Sequence, residues 1–206
     1  GVKTVHLVGG SWGSITTALY VSTGGADRVS RLVLYAPIFA AVNDAWVELL
    51  RDAEIPGLFG RHWAACRIVD EASVRARWDA EIPDGQIDQW RDEAAFQALV
   101  QSTLADDPES QNHHSRSFRA PNGTFVDLWE AFNARPLYDP SNITCPTLLI
   151  RGSADPTSTR RDALALFEAL GATEKTYVEI ANGAHFVSAE RRAPQVFAAV
   201  NAFLTA

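Results

Sequence analysis

The strongest constraint on this chain lies in its first 36 residues. Residues 2–8, VKTVHLV, are largely β-branched and apolar and stop at Gly9-Gly10, which reads as a buried strand. Residues 13–23 follow with Ile15, Leu19 and Tyr20 at helical spacing, and Gly24-Gly25 end them. A second apolar run, RLVLY at 31–35, closes at Ala36-Pro37. Strand, helix and strand joined by short turns form a βαβ unit, which pairs its strands in parallel through a right-handed crossover.

The last third repeats the rhythm. TLLIR at 147–151 is bounded by Pro146 and Gly152, an amphipathic helix is expected over 160–170, KTYVEI at 175–180 is the last strand, and 189–204 form a closing helix near Pro194. Between these parts the pattern changes. Residues 38–140 hold five of the six tryptophans and helix-forming periodicity but no persuasive strand, and the polar stretch 106–124 reads as an exposed loop. The expected organisation is an α/β core from 1–37 and 141–206, its mainly parallel sheet flanked by helices, with a helical cap inserted at 38–140.

Charge and cysteine content narrow the partners. With 18 Lys+Arg against 25 Asp+Glu the net charge is −7, which argues against nucleic acid. No apolar run approaches the ~20 residues of a membrane span. Two cysteines, Cys66 and Cys145, give no disulfide framework, so a cytoplasmic location and two buried, inert thiols are expected. His6, inside the first strand, is expected to pack in the core. His113-His114 lack metal-ligand spacing, and Arg51, Arg61, Arg67, Arg75 and Arg77, interleaved with acids, read as a solvated helix face.

Gly9-Gly10-Ser11-Trp12-Gly13 fits G-x-S-x-G at a strand–helix junction. In that setting a serine is held on a sharp, strained turn with its hydroxyl raised above the sheet, and glycines on either side keep side chains off the backbone. The Trp12 backbone N–H, at a helix N-terminus, is then aimed where an oxyanion would form during acyl transfer. A nucleophilic serine needs a base and an orienting acid, in the chain order serine, acid, histidine. Asp155 follows the strand at 147–151 and His185 follows the strand at 175–180, both at carboxyl ends, where parallel sheets gather their functional groups.

With GGSWGS as elbow, GSADPTS as acid loop and GAHF as histidine loop, the chain resembles the C-terminal two-thirds of an α/β-hydrolase, and GGSWGS is similar to the elbow of proline iminopeptidases and esterase-like members. The resemblance covers residues 1–36 and 144–205. It implies Ser11 as nucleophile, His185 as base then acid, Asp155 as orienting carboxylate and Trp12 as one oxyanion donor, with no cofactor or metal. The implied partner is a small acyl substrate, an ester first and an iminopeptidase-like amide second. Glu48, Glu54, Asp79 and Glu81 are candidates, by charge only, for the acidic group that holds a free amino terminus in iminopeptidases. A non-catalytic binding protein on the same fold is the reading from another class.

In that family several strands precede the elbow, and one of their loops supplies the second oxyanion donor. Here the chain has no Met, opens in a strand, and offers that strand only one neighbour. A further N-terminal segment, or a companion chain, is therefore expected beside residues 2–8.

Overall fold

The computed structural model describes all 206 residues, Gly1–Ala206. The first unit runs through β1 (Val5–Gly10), α1 (Trp12–Tyr20) and β2 (Val29–Tyr35), with α1 continuing into a π-helical turn over Val21–Gly25. The last third adds β5 (Thr147–Gly152), α7 (Arg160–Ala169), β6 (Lys175–Ile180) and α8 (Ala193–Thr205). The four strands pair in parallel in the order β1-β2-β5-β6, with Val8 beside Val33, Leu34 beside Leu149 and Ile150 beside Val178.

The period of two along β2 and β5 divides the core between the two faces of this sheet. Leu32 and Leu34 of β2 and Leu149 of β5 face one side, where they meet Ile15 and Ala18 of α1 and Leu166 of α7. Val33, Leu148 and Ile150 face the other and pack on Val196 and Phe203 of α8. Both strands are buried on both sides, which accounts for their near-continuous apolar spelling.

Between β2 and β5 lie α2 (Asp44–Leu50), β3 (Cys66–Asp70), α3 (Glu71–Asp79), α4 (Ile87–Trp90), α5 (Glu93–Asp106), β4 (Ser117–Pro121) and α6 (Gly123–Phe132). The expectation of an all-helical middle is corrected here. CRIVD and SFRAP pair antiparallel, with Ile68 opposite Arg119, and the second of them falls within the stretch expected to be an exposed loop. Each is short and interrupted by arginine, and their partnership spans about 50 residues of chain, so local periodicity carries no trace of it. This stretch is also anchored inside: Asp107 is buried and accepts from the Arg119 backbone N–H at 2.7 Å.

In this chain β1 pairs only with β2, leaving the open side expected of a strand with one neighbour, and Val5 and Val8 are about half exposed. Two further expectations fail. His6 lies on that open side, where its Nδ1 shares a 3.0 Å hydrogen bond with Ser30 Oγ, rather than in the core. Cys66 is exposed at the start of β3, and only Cys145 is a buried thiol.

The middle segment leaves the sheet at residues 38–41, and one side chain fixes that departure. Asp162, buried in the first turn of α7, accepts from the backbone N–H groups of Phe39 (2.8 Å), Ala40 (2.9 Å) and Ala41 (2.7 Å). Asp162→Ala would leave these donors without a partner. It is expected to cost at least about 2 kcal/mol of stability, read from urea midpoints; a loss under about 0.5 kcal/mol would mean the donors find water instead.

Candidate active site

β1, β5 and β6 all release their chains at the same edge of the sheet, and three polar side chains meet there. The first is Ser11, on the turn from β1 into α1. Its backbone sits at φ 53°, ψ −124°, a region L-residues seldom occupy, and its N–H donates to the Tyr35 carbonyl at 2.9 Å. Gly9 makes this turn possible, since a Cβ there would overlap the Thr17 side chain and the Gly13 carbonyl. The same expectation for Gly13 is corrected: a Cβ at that position meets nothing within 4 Å.

His185 comes from the loop after β6. Its Nε2 lies 2.8 Å from Ser11 Oγ and its Nδ1 lies 2.9 Å from Asp155 Oδ2. Asp155, from the loop after β5, is fully buried at its side chain. Its other oxygen accepts from the backbone N–H of Thr157 at 2.8 Å and of Ser158 at 2.9 Å, so the carboxylate can turn only one oxygen toward the imidazole. The Trp12 N–H opens α1 and has no partner within the helix. The Trp12 indole is committed elsewhere, donating to Asp127 Oδ2 on α6 at 2.7 Å.

Several residues that sequence reasoning passed over hold this geometry. Arg151 ends β5 almost completely buried. It donates from Nε to the Ser158 carbonyl (2.7 Å), from Nη2 to the Asp155 carbonyl (3.0 Å) and from Nη1 to Glu179 (2.6 Å), and so pins the Asp155 loop. Its only sequence signal was an arginine at the end of an apolar strand. Tyr35, at the end of β2, donates from its hydroxyl to the His185 carbonyl at 2.6 Å and accepts from the Ser188 N–H. Burial, offset in part by the Ser188 contacts, pushes that phenol up to about 12.

Of the four acidic candidates, the structure brings only Glu81 to the site. Its Oε2 accepts from the His185 backbone N–H at 2.8 Å, and desolvation raises its carboxyl above the usual range. Glu48 and Glu54 pair with Arg51 and Arg61 at the surface, and Asp79 lies 3.0 Å from Arg91. Glu190, with no sequence signal at all, accepts from the Ala184 N–H and the Trp78 indole N–H, both at 3.0 Å. Thus α3 and the turn after it reach the histidine loop through Trp78 and Glu81.

A family model described as serine aminopeptidase, S33, matches residues 2–192. The chain belongs to this family. The fold agrees: the S33 chain is an α/β-hydrolase, and solved structures with the same fold include a 2-hydroxy-6-oxo-6-phenylhexa-2,4-dienoate hydrolase from Rhodococcus (TM-score 0.64, 16% identity, 100% of this chain and 66% of that one). Others are an enol-lactonase from Burkholderia xenovorans (0.56, 20%, 100% and 67%) and a monoacylglycerol lipase from Paleococcus ferrophilus (0.57, 19%, 98% and 69%). The S33 chain spans about two thirds of the length of these structures. No curated protein matches it. No helix is long and apolar enough to cross a membrane.

Glu190 makes the stability of the S33 chain depend on pH. Desolvation first, then the nearby Glu81 and Asp155 carboxylates, raise its carboxyl to about 7 against the two N–H donors that oppose the shift. The folded protein keeps this proton between about 4.5 and 7, where the unfolded chain has released it, so the group stabilises at low pH and that contribution is lost as pH rises through this window. Glu190→Gln should therefore gain on the wild type by on the order of 1 kcal/mol between pH 5 and pH 8. Urea midpoints at both pH values test this, and an unchanged gap would refute it.

Proposed function

We propose that the chain carries the catalytic centre of a serine hydrolase acting on an ester or related acyl bond. The observation that supports this most directly is the continuous chain of hydrogen bonds from Ser11 through His185 to Asp155, at 2.8 and 2.9 Å, on a strained strand-to-helix turn. Ser11 Oγ attacks the carbonyl carbon while His185 Nε2 takes its proton. Asp155 accepts from Nδ1–H, which fixes the tautomer and stabilises the imidazolium that forms. The Trp12 N–H donates to the developing oxyanion. His185 then protonates the leaving group, and a water deprotonated by His185 releases the acid from the acyl-enzyme. The family and its structural relatives, which include a lipase and a lactonase by name, support this class of chemistry.

A second reading, removal of an amino-terminal residue, is favoured by the family description and by Glu81, whose second oxygen has no hydrogen-bond partner beside the triad. A panel of nitrophenyl esters against aminoacyl- and prolyl-nitroanilides separates the two. Faster turnover of the anilides would replace the ester reading.

Ser11→Ala should reduce ester turnover below about a thousandth of wild type and abolish labelling by a fluorophosphonate, with urea midpoints little changed. Residual activity above that level would exclude Ser11 as nucleophile. Asp155→Asn keeps the shape but offers Nδ1 the wrong partner, and kcat is expected to fall by about 10³–10⁴-fold. A loss of less than tenfold would move the orienting role to another group.

A further inference from the structure

A cavity of about 740 Å³ lies between α2, α3, α5, the β3–β4 ribbon and the histidine loop. Its wall is mostly apolar, with Trp46, Trp63, Phe125 and Phe186 among its rings, and its only charged residues are Arg67 and Arg77. Two of these rings lead to the triad. Phe186 follows His185 and meets its imidazole edge-on at 5.6 Å between centroids, and the Trp46 indole N–H donates to Thr157 Oγ1 on the Asp155 loop at 3.0 Å. The cavity wall thus touches the triad loops through Phe186 and Trp46, although Ser11, His185 and Asp155 do not themselves line it.

Two of the five arginines expected on a solvated helix face stand apart: Arg67 lies half-buried on β3, and Arg77, though exposed on α3, forms no ion pair. Arg51, Arg61 and Arg75 do pair with carboxylates. Arg67 and Arg77 pair with none. Arg77 makes no hydrogen bond and sits 5.4 Å over the rings of both Trp46 and Phe186. Arg67 stacks 4.0 Å over Phe125 and donates only to the neutral Asn122 side chain and the Pro121 carbonyl. Burial, and after it the nearby charge of Arg77, pull Arg67 below the usual guanidinium range; Arg67 is half-buried, while Arg77 reaches the cavity from an exposed position.

The Trp63 indole N–H is buried with no partner, and its ring meets Phe125 edge-on at 4.9 Å, on the ring that Arg67 covers. Two guanidinium groups without an ion pair, and no acid in the same mostly apolar wall, leave a site short of an acceptor. Guanidinium groups match the planar, two-oxygen geometry of a carboxylate, and a single negative charge costs less to desolvate here than a phosphate dianion. Glu81 lies near enough for the charge of Arg77 to act on its carboxyl, but it forms no ion pair with either arginine, and one of its oxygens accepts from the His185 N–H.

We propose that Arg67 and Arg77 bind a carboxylate carried by the substrate away from its scissile bond, so that the enzyme takes acyl compounds with an apolar body and a distal acid. This rests on the hydrolase reading above and deepens it. Because the chain is acidic overall, this local reversal of sign selects by charge within the site rather than by steering from a distance.

The test uses Ser11→Ala, which binds without turnover, and compares monomethyl suberate with dimethyl suberate by calorimetry. The half-acid is expected to bind about tenfold or more tightly, as a charge-assisted hydrogen bond would provide. In the Ser11→Ala background, Arg77→Gln and Arg67→Gln should each shrink that ratio and their combination should bring it to one, while Arg77→Lys should keep part of it. The lysine variant guards against misfolding, because it retains the charge and the stem. Equal affinities for the two compounds, or a ratio that survives in the double glutamine variant, would overturn the proposal. The parent hydrolase reading is scored separately on the otherwise unaltered protein: fluorophosphonate labelling with equal suberate affinities defeats only the carboxylate site, whereas no labelling with the preference intact defeats only the hydrolase reading.

Discussion

What Ser11 can do depends on where residues 181–190 are held, and most of that holding is done through backbone. The His185 carbonyl takes a hydrogen bond from Tyr35, its N–H gives one to Glu81, and the Ala184 N–H gives one to Glu190. The Ala154 N–H donates to the Gly183 carbonyl, bringing the acid loop alongside at 2.9 Å. That last contact needs Gly152, because a Cβ there would run into the Gly183 and Ala184 carbonyls. Only backbone fixed from several directions can hold an imidazole between two partners at hydrogen-bond distance, since misplacement by an ångström costs orders of magnitude in rate.

These supports come from different parts of the chain. Tyr35 belongs to the sheet, Glu190 to the histidine loop itself, and Glu81 and Trp78 to the inserted segment. A cluster of Trp78, Ile82, Trp90, Phe96 and Val100 packs on Ala184 and Phe186, so the apolar core of the insertion and the underside of the histidine loop are one body. The insertion therefore bears on the Ser11–His185–Asp155 cluster through shared packing as well as by enclosing a cavity. Its strands β3 and β4 close about 50 residues into a loop, which lets α3, α4 and α5 form that body without the sheet.

The parallel core was legible in the sequence because its signals are local. Buried strands such as 147–152 spell themselves in consecutive apolar residues, and glycines mark the turns beside them. The positions of Ser11, Asp155 and His185 followed from the same logic, as each stands just after a strand. What escaped was everything decided by distant partners. The β3–β4 pairing, the burial of Arg151 and the elevated carboxyl of Glu190 depend on residues far away in sequence. The five arginines 51, 61, 67, 75 and 77 look alike in the sequence, yet three are ion-paired and two, without an ion pair, line a mostly apolar cavity. Which is which is a property of the fold.

The backbone of Ser11 carries a further consequence. A conformation at φ 53°, ψ −124° costs an L-residue about 1–3 kcal/mol, and glycine would occupy it at little cost. Selection for stability alone would thus favour glycine here, a residue with no side chain to offer. The hydroxyl of Ser11 is kept at the expense of backbone strain, so a glycine would gain stability only by giving up the group proposed to react. At this turn the backbone and the proposed chemistry pull in opposite directions.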